Sequence, residues 1–309
     1  MSSYRFCRTD DIGLLVDALN RCWRPHFPDE EPVTPAAFKR SIRDLQVWCS
    51  SCMVAFSGGD PIGVLIGAKR ASGTLIHQIA VHPDHLRQGH GRHLLTSLSS
   101  KLAILGPPRM VAEVPGTFAA ASALFSSCGY VEEAVLTDYV WHGKDAATVR
   151  DAAAVGGAAA VGGDAAVEAG FSRPGDAPAV SESFVIPVTV DDLEANGLLG
   201  DEYPPTCWER SVQTLLARKD EIEGFAVASA EQIEAYILYR DDDVVALRSL
   251  VEDGAARLKL LLTHVEAGGV RSRRFGKVHP AEISTNVLAS LGFAPTASHQ
   301  LLVGMARSH

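Results

Sequence analysis

The residues best placed to do chemistry lie in one stretch, Leu75–Leu95, which reads LIHQIAVHPDHLRQGHGRHLL. Its first part is typical of a strand and ends at His82–Pro83, and a polar loop then leads through Gly89 and Gly91 into helical apolar spacing. A helix that begins directly after a glycine-rich loop gathers unpaired backbone N–H groups, which bind pyrophosphate. Glycines also occur in plain helix-starting turns, so the neighbouring elements must decide between the two interpretations.

The elements around this loop favour phosphate binding. The strand end IAVHP precedes it, and the block Met110–Tyr130 (MVAEVPGTFAAASALFSSCGY) adds a strand, a helix and a Gly–aromatic pair. In these features the sequence resembles the GCN5-related N-acetyltransferase (GNAT) family, whose acyl-CoA loop reads Arg/Gln-x-x-Gly-x-Gly/Ala. Leu86–Gly91, LRQGHG, matches both glycines and carries its basic residue one place late. The resemblance implies that acyl-CoA is bound by Arg87, Gln88, Gly89, His90, Gly91 and Arg92.

The chemistry that the resemblance implies is direct attack of an amine on the thioester of acetyl-CoA. In members of the family a splayed central strand binds the acyl carbonyl through its backbone N–H groups. The corresponding residues here are Ile79, Ala80 and Val81. A base must take the ammonium proton, and the candidates are Glu113, in the apolar run AEVP, and His77, on the strand beside the thioester. Glu113 is equally consistent with a surface position, because alternation along a strand does not say which face is buried.

The next helix departs from the family's pattern A-x-x-L-Y-x-x-x-G-F. Here residues 121–130 read ASALFSSCGY, so Phe125 stands where many members place a Tyr that protonates the leaving thiolate, and Phe118 replaces an Asn. Phe125 keeps a place beside acyl-CoA but cannot donate a proton. Another group or solvent protonates the thiolate, or the protein is an acyl-CoA-binding or sensing module with weak or no catalysis. That module is the alternative to an acetyltransferase.

Composition narrows the class of protein. The 309 residues suffice for two domains, and 37 acidic against 28 basic residues, without a basic block, argue against nucleic acid as a partner. There is no apolar run of about 18 residues, so we expect no membrane partner. Met1–Asp10 has no signal-peptide pattern, which predicts a cytoplasmic protein.

No metal site is predicted. Cys49 and Cys52 form a lone CxxC pair, whereas a structural zinc site needs four ligands. Five histidines crowd the central stretch but lack a carboxylate or cysteine at ligand spacing. Most of them are expected to be solvated, and His82 joins His77 as a candidate for proton transfer.

The first half reads as β-α-α-β-β-β-α-β-α-β, which is the family order. Thr34–Pro35 predicts the start of the second helix, and Gly58–Asp60 predicts a hairpin. Pro25–Pro32 is an acidic, proline-rich loop that is either a solvated connection or a wall of the acceptor cleft.

The second half looks like a duplicated lobe. Cys207–Val212 parallels Ala37–Ile42, and Ser290–Phe293 parallels Ser127–Tyr130. Where the phosphate loop should be, Leu250–Arg257 has one glycine and two acidic residues, so this copy is expected not to bind coenzyme A. The predicted strands are Gly224–Ala228, Gln232–Arg240, Val244–Val251 and Arg273–Val278, and the predicted helices are Ala255–Val265 and Ala281–Leu291.

The sequence therefore predicts an α+β protein of two tandem acyl-CoA N-acyltransferase-like lobes, each a mixed, mostly antiparallel sheet flanked by helices. The expected domains are residues 1–142, an Ala- and Gly-rich linker at 143–180, and a degenerate lobe at 181–309. We expect the first lobe to use acetyl-CoA to acetylate a primary amine of a small molecule or peptide. Pairing of lobes or sheet edges leaves a homodimer open.

Overall fold

The computed structural model describes residues 2–142, 184–199, 206–252, 254–267 and 272–308. Its strands are β1 Ser2–Phe6, β2 Met53–Ser57, β3 Asp60–Arg70, β4 Gly73–Val81, β5 Arg109–Pro115, β6 Val131–His142, β7 Phe184–Pro187, β8 Glu223–Ala228, β9 Ile233–Arg240, β10 Asp243–Ser249, β11 Ser272–Val278 and β12 Phe293–Met305. Its α-helices are α1 Ile12–Cys22, α2 Pro35–Leu45, α3 His90–Leu105, α4 Ala119–Ser127, α5 Val190–Ala195, α6 Val212–Ala217, α7 Ala255–Ala267 and α8 Thr285–Ser290. The predicted linker, residues 143–180, lies outside the described residues.

All the described strands join one sheet in the order β1-β2-β3-β4-β5-β12-β6-β11-β10-β9-β8-β7. Pairing is antiparallel except between β4 and β5 and between β10 and β11, which are parallel. The predicted α+β class with mixed, mostly antiparallel pairing is confirmed. The sequence did not predict that the sheets of the two halves are continuous.

The two halves are joined by an exchange of strands. β12 lies between β5 and β6, so that Leu301 is paired with Glu113 on one side and with Ala134 on the other. β6 in turn pairs with β11, where Tyr139 lies opposite Phe275. Each half therefore supplies one strand to the interior of the other half's sheet.

Local signals in the sequence explain several element boundaries. Thr34 caps α2 by accepting a hydrogen bond from the N–H of Ala37, as its type and position predict. Gly129 and Gly292 follow α4 and α8 with φ of 85° and 91°, a conformation that favours glycine. The parallel between residues 127–130 and 290–293 is therefore confirmed as a repeated helix end.

Two expectations for the second half were wrong. Residues 37–42 are helical, but 207–212 contain the 3₁₀ turn Trp208–Arg210, because the Arg210 side chain is drawn inward to Glu282 at 2.6 Å. The last helix is shorter than predicted and begins at Thr285, because Ser284 caps it.

Helices cover both faces of the sheet in the N-terminal half. α1 and α2 bury Leu19 and Phe38 against one face, and α3 and α4 bury Leu94 and Phe125 against the other. None of the helices in the described ranges combines the length and apolar character needed to cross a membrane. The N-terminal half thus carries a helix-lined surface on either side of the β4–β5 region.

The exchange of strands predicts that residues 1–142 do not fold alone. Without β12 and β11, β6 has no hydrogen-bonded neighbour and β5 has an open edge. A fragment of residues 1–142 should show no cooperative thermal transition by circular dichroism, and mixing it with a fragment of residues 181–309 should restore one. A cooperative transition of the 1–142 fragment alone, at the temperature of the full chain, would contradict this dependence.

Candidate active site

A gap opens between β4 and β5 in the middle of the sheet. In the described N-terminal half the two strands pair only at Thr74 with Met110 and at Leu75 with Val111. β4 then stays paired with β3, and β5 stays paired with β12. The strands therefore part, and a wedge is left between their C-terminal ends.

Backbone groups of β4 line one side of this gap. The N–H of His82 donates to the carbonyl of Ile62, so even-numbered residues at this end of β4 face β3. By alternation the N–H groups of Ile79 and Val81 face the gap, while Ala80 faces β3. The predicted carbonyl-binding strand thus offers two N–H donors where the strands part.

The predicted phosphate loop leads directly from this strand end into α3. Arg87 and Gly89 have φ of 62° and 85°, and these left-handed residues turn the chain into the helix. The first backbone hydrogen bond of α3 runs from the N–H of His93 to the carbonyl of Gly89. Among the residues that the structure describes, the N–H groups of residues 87–92 have no acceptor, so this loop can bind an anion.

The side chains of the loop divide into two groups. Arg87, Gln88 and Arg92 are exposed and can reach a ligand. His90, expected to be solvated, is instead buried, because its Nδ1 hydrogen-bonds the hydroxyl of Tyr4 at 2.6 Å. Only the backbone N–H of His90 is therefore available to a phosphate.

Gly91 allows the first turn of α3 to approach α4. A Cβ at this position would lie 3.1 Å from a methyl group of Leu124 and 3.9 Å from one of Val81. The glycine therefore keeps α3, α4 and β4 close together beside the gap.

Aromatic residues occupy the opposite side of the gap. Phe125 is 2% exposed and packs against Tyr130 with ring centroids 5.0 Å apart, so it has a packing role in the core. Phe118 is partly exposed and contacts Phe27 edge-on at 5.2 Å. His26, next to Phe27, donates a hydrogen bond from Nε2 to the carbonyl of Val81 at 2.8 Å. The acidic, proline-rich loop therefore spans the gap from β4 to α4.

Glu113 points to the α1–α2 side of the sheet, as does Val111 two residues earlier. Its side chain is 5% exposed and both oxygens have donors: Oε1 accepts from the N–H of Trp208 at 2.7 Å, and Oε2 accepts from Nζ of Lys277 at 3.1 Å. The sequence left two positions open for Glu113, a desolvated carboxylate at the gap and a residue on the surface of the sheet. The structure pairs both of its oxygens with donors from the C-terminal half.

A bulge in β11 aims Lys277 at Glu113. Gly276 and Lys277 together lie opposite Asp138, whose Oδ1 accepts from the N–H of Lys277 at 2.7 Å. Arg210 donates to the carbonyls of both bulged residues and is paired with Glu282. The bulge is thus fixed by hydrogen bonds on several sides.

The charge of Lys277 is stabilised by its neighbours. Burial alone would lower the pKa of its ammonium group, but the carboxylates of Glu113 and Glu209 outweigh this and raise that pKa. Lys277 therefore stays a cation beside Glu113. These partners are 164 residues apart, so no local sequence signal could have revealed the pair.

His77 is the bulged residue of β4, since its neighbours Ile76 and Gln78 lie opposite the adjacent residues Gly67 and Ile66. Burial lowers the pKa of its imidazole, and the charge of Lys277 lowers that pKa further, while Glu209 acts in the opposite direction. His77 is therefore neutral near pH 7 and able to accept a proton.

Comparison with known proteins agrees with this geometry. The sequence model of a family described as the acetyltransferase (GNAT) family matches residues 14–130. This region is a GNAT domain. It contains β4, the phosphate loop and α4, so the gap belongs to the GNAT domain. A search of the curated proteins found no match to this chain.

Solved structures extend the similarity beyond the GNAT domain. A putative acetyltransferase from Pyrococcus horikoshii matches with 14% identity and a TM-score of 0.57, covering 99% of this chain and 90% of that one. A GCN5-related N-acetyltransferase from Sphaerobacter thermophilus matches with 13% identity and a TM-score of 0.61, covering 99% of this chain and 96% of that one. A tandem GNAT protein from the clavulanic acid biosynthesis pathway matches with 16% identity and a TM-score of 0.58, covering 99% of each chain. At these identities the similarity shows the fold alone, and this fold runs through both halves.

Reversing the charge of Arg87 tests the phosphate loop of the GNAT domain. Arg87→Glu places a carboxylate beside the free N–H groups, where it should repel a pyrophosphate and weaken acetyl-CoA binding by roughly tenfold or more. The matched control is Lys259→Glu on α7, also an exposed reversal of charge. Calorimetric titration should separate the two variants, and equal affinities would contradict the assignment of the loop.

Replacing Lys277 tests the contact between the halves. Lys277→Met leaves one oxygen of the buried Glu113 without its donor, which should lower the free energy of unfolding by about 1–3 kcal/mol. Lys219→Met is the control, because its ion pair with Asp191 is exposed to solvent and therefore contributes little to stability. Urea unfolding of both variants measures the difference. A loss in the Lys277 variant no larger than in the control would mean that the buried pair does not hold the halves together.

Proposed function

We propose that this protein transfers the acetyl group of acetyl-CoA to a primary amine of a small molecule or peptide. The observation that carries the proposal is the parting of β4 and β5 immediately before a helix whose first N–H groups are free. This arrangement gives a thioester a slot between strands and gives its pyrophosphate a binding site at the slot's end. Residues 1–142 would act as the acetyltransferase domain, and residues 181–309 as its supporting lobe.

The geometry of the loop and of β4 supports a set of binding residues for acetyl-CoA. The pyrophosphate would lie against the backbone of residues 87–92, with Arg87 and Arg92 supplying positive charge. The acyl carbonyl would accept hydrogen bonds from the N–H groups of Ile79 and Val81, which stabilise the negative charge that develops on its oxygen. The carbonyl of Val81 accepts a hydrogen bond from Nε2 of His26. This hydrogen bond would have to break if an N–H of the pantetheine chain donates to the same carbonyl.

We assign proton removal from the amine to His77. It is neutral near pH 7 and lies where β4 bends beside the gap. Glu113 would act through its charge, because the N–H of Trp208 and Nζ of Lys277 hold its carboxylate in place. The carboxylates of Glu113 and Glu209, both of which contact Lys277, would attract an acceptor that arrives as an ammonium ion.

The second lobe would not bind coenzyme A. A Cβ on Gly254 would lie 1.6 Å from Oγ of Ser249, so the start of α7 packs directly on the end of β10. The corresponding place in the first half holds an open, exposed loop.

The second candidate function is acyl-CoA binding without turnover. Phe125, which cannot protonate a thiolate, is buried where the family's Tyr stands, and the contact between Phe27 and Phe118 lies across the gap. Both features would suit a sensor that closes over its ligand.

Two measurements on the full chain separate these functions. Calorimetry tests binding of acetyl-CoA, and thiol release with a panel of amines tests turnover. Binding with amine-dependent release would establish the transferase, and binding without release for any amine would favour the sensor. Absence of binding would overturn both.

The pH dependence of thiol release tests His77. Because burial lowers the pKa of His77 below its ordinary value of 6.5, His77 should be a neutral base at neutral pH, and the rate should fall only at more acidic pH. His77→Gln should remove this limb and lower kcat by roughly 10²-fold or more. Glu209→Gln, a nearby change of charge, should shift the limb to lower pH, because it removes a charge that raises the pKa. An unchanged profile in the His77 variant would exclude it as the base.

A further inference from the structure

Arg70, at the end of β3, is a buried cation without an anionic partner. It is 8% exposed, and among the described residues no carboxylate lies within ion-pair distance of it. Its guanidinium stacks over the ring of Trp208 at 4.2 Å. Its hydrogen bonds go to neutral acceptors alone, namely Oε1 of Gln46, the carbonyl of Trp208, Oγ of Ser211 and Oγ1 of Thr214.

A comparison with Arg210 shows what is missing. Arg210 is equally buried, and both of its terminal nitrogens bind the carboxylate of Glu282, at 2.6 and 2.7 Å. Burial of Arg70 lowers its pKa to about 10, so the side chain remains charged at neutral pH. Glu113 acts on this charge only from a distance, so burial still outweighs it, and an anion in direct contact with Arg70 would recover part of the cost of burying the ion.

Arg70 lines a cavity of about 650 Å³ between the two halves. Gln46 and Arg70 contribute from the N-terminal half, and Ser211, Gln213 and Tyr236 contribute from the C-terminal half. The other charged lining residues are Arg248 and the ion pair of Arg210 with Glu282, whose carboxylate is neutralised by Arg210. Within the part of the chain that the structure describes, one of the two Nη2 hydrogens of Arg70 has an acceptor, Oγ1 of Thr214, and the other has none. The cavity therefore offers a free guanidinium donor, an exposed amide at Gln213 and room for a small molecule.

We propose that this cavity binds a small anion that carries a carboxylate or phosphate group. The anion would pair with Arg70 and hydrogen-bond the amide of Gln213. The cavity is distinct from the acyl-CoA gap, because Arg70 is paired with Gly73, before the point at which β4 and β5 part.

The anion site and the GNAT gap share one residue. The carbonyl of Trp208 accepts from Arg70, and the N–H of Trp208 donates to Glu113. An anion that repositions Arg70 would therefore act on the same turn that holds Glu113.

The test uses the full chain without acetyl-CoA, at constant ionic strength, with inorganic phosphate and malonate as separate probes and malonamide as the neutral control. Thermal unfolding should show a saturable rise in Tm with at least one anion and none with malonamide. The probe that binds more tightly identifies the phosphate or the carboxylate as the preferred group.

Three variants decide whether the anion sits beside Arg70. Arg70→Gln removes the charge and should abolish the rise in Tm. Gln213→Glu, an exposed change that does not threaten the fold, should weaken the response at least tenfold by repelling the anion. Asn286→Asp adds the same charge on α8 away from the cavity and should respond like the wild type. A rise of equal size in all variants, or none in the wild type with either anion, would overturn the proposal.

Discussion

The hydrogen bonding of β12 between β5 and β6 is the constraint on which the rest of the structure depends. It closes the edge that β5 would otherwise expose beside the gap, and it brings β11 within reach of the N-terminal half. Lys277 can meet Glu113 across the two intervening strands only because the halves share this sheet. The candidate site is therefore a product of both halves, although its binding loop belongs to one.

The 3₁₀ turn Trp208–Arg210 makes the contacts through which the C-terminal half reaches the candidate site. Its first residue binds Glu113 through the N–H and Arg70 through the carbonyl. Glu209 contacts Lys277 at 3.3 Å, and Arg210 fixes the bulge from which Lys277 projects. The C-terminal half thus shapes the electrostatics of the candidate site in the N-terminal half.

Local sequence patterns predicted the parts of the fold that local physics determines. Glycine positions, caps and apolar spacing placed the glycine-rich turn before α3, the start of α2 and the repeated helix ends. β12 was missed because Phe293–Met305 begins with polar and small residues and shows no sustained alternation. Its place beside β5, and the pairing of Glu113 with Lys277, depend on contacts between distant residues that no periodicity encodes.

The position of β12 in the chain has a consequence for synthesis. β5 and α3 are made early, but β5 acquires its second neighbour only after Met305 has been added, 190 residues after Pro115 (305 minus 115). At translation rates of about 5–20 residues per second this interval is roughly 10–40 s. During it the nascent N-terminal half exposes an unpaired strand edge, which is a surface for chaperones or for misassembly with another ribosome's product. Cellular yield should therefore depend on events at the ribosome as well as on the stability of the finished protein.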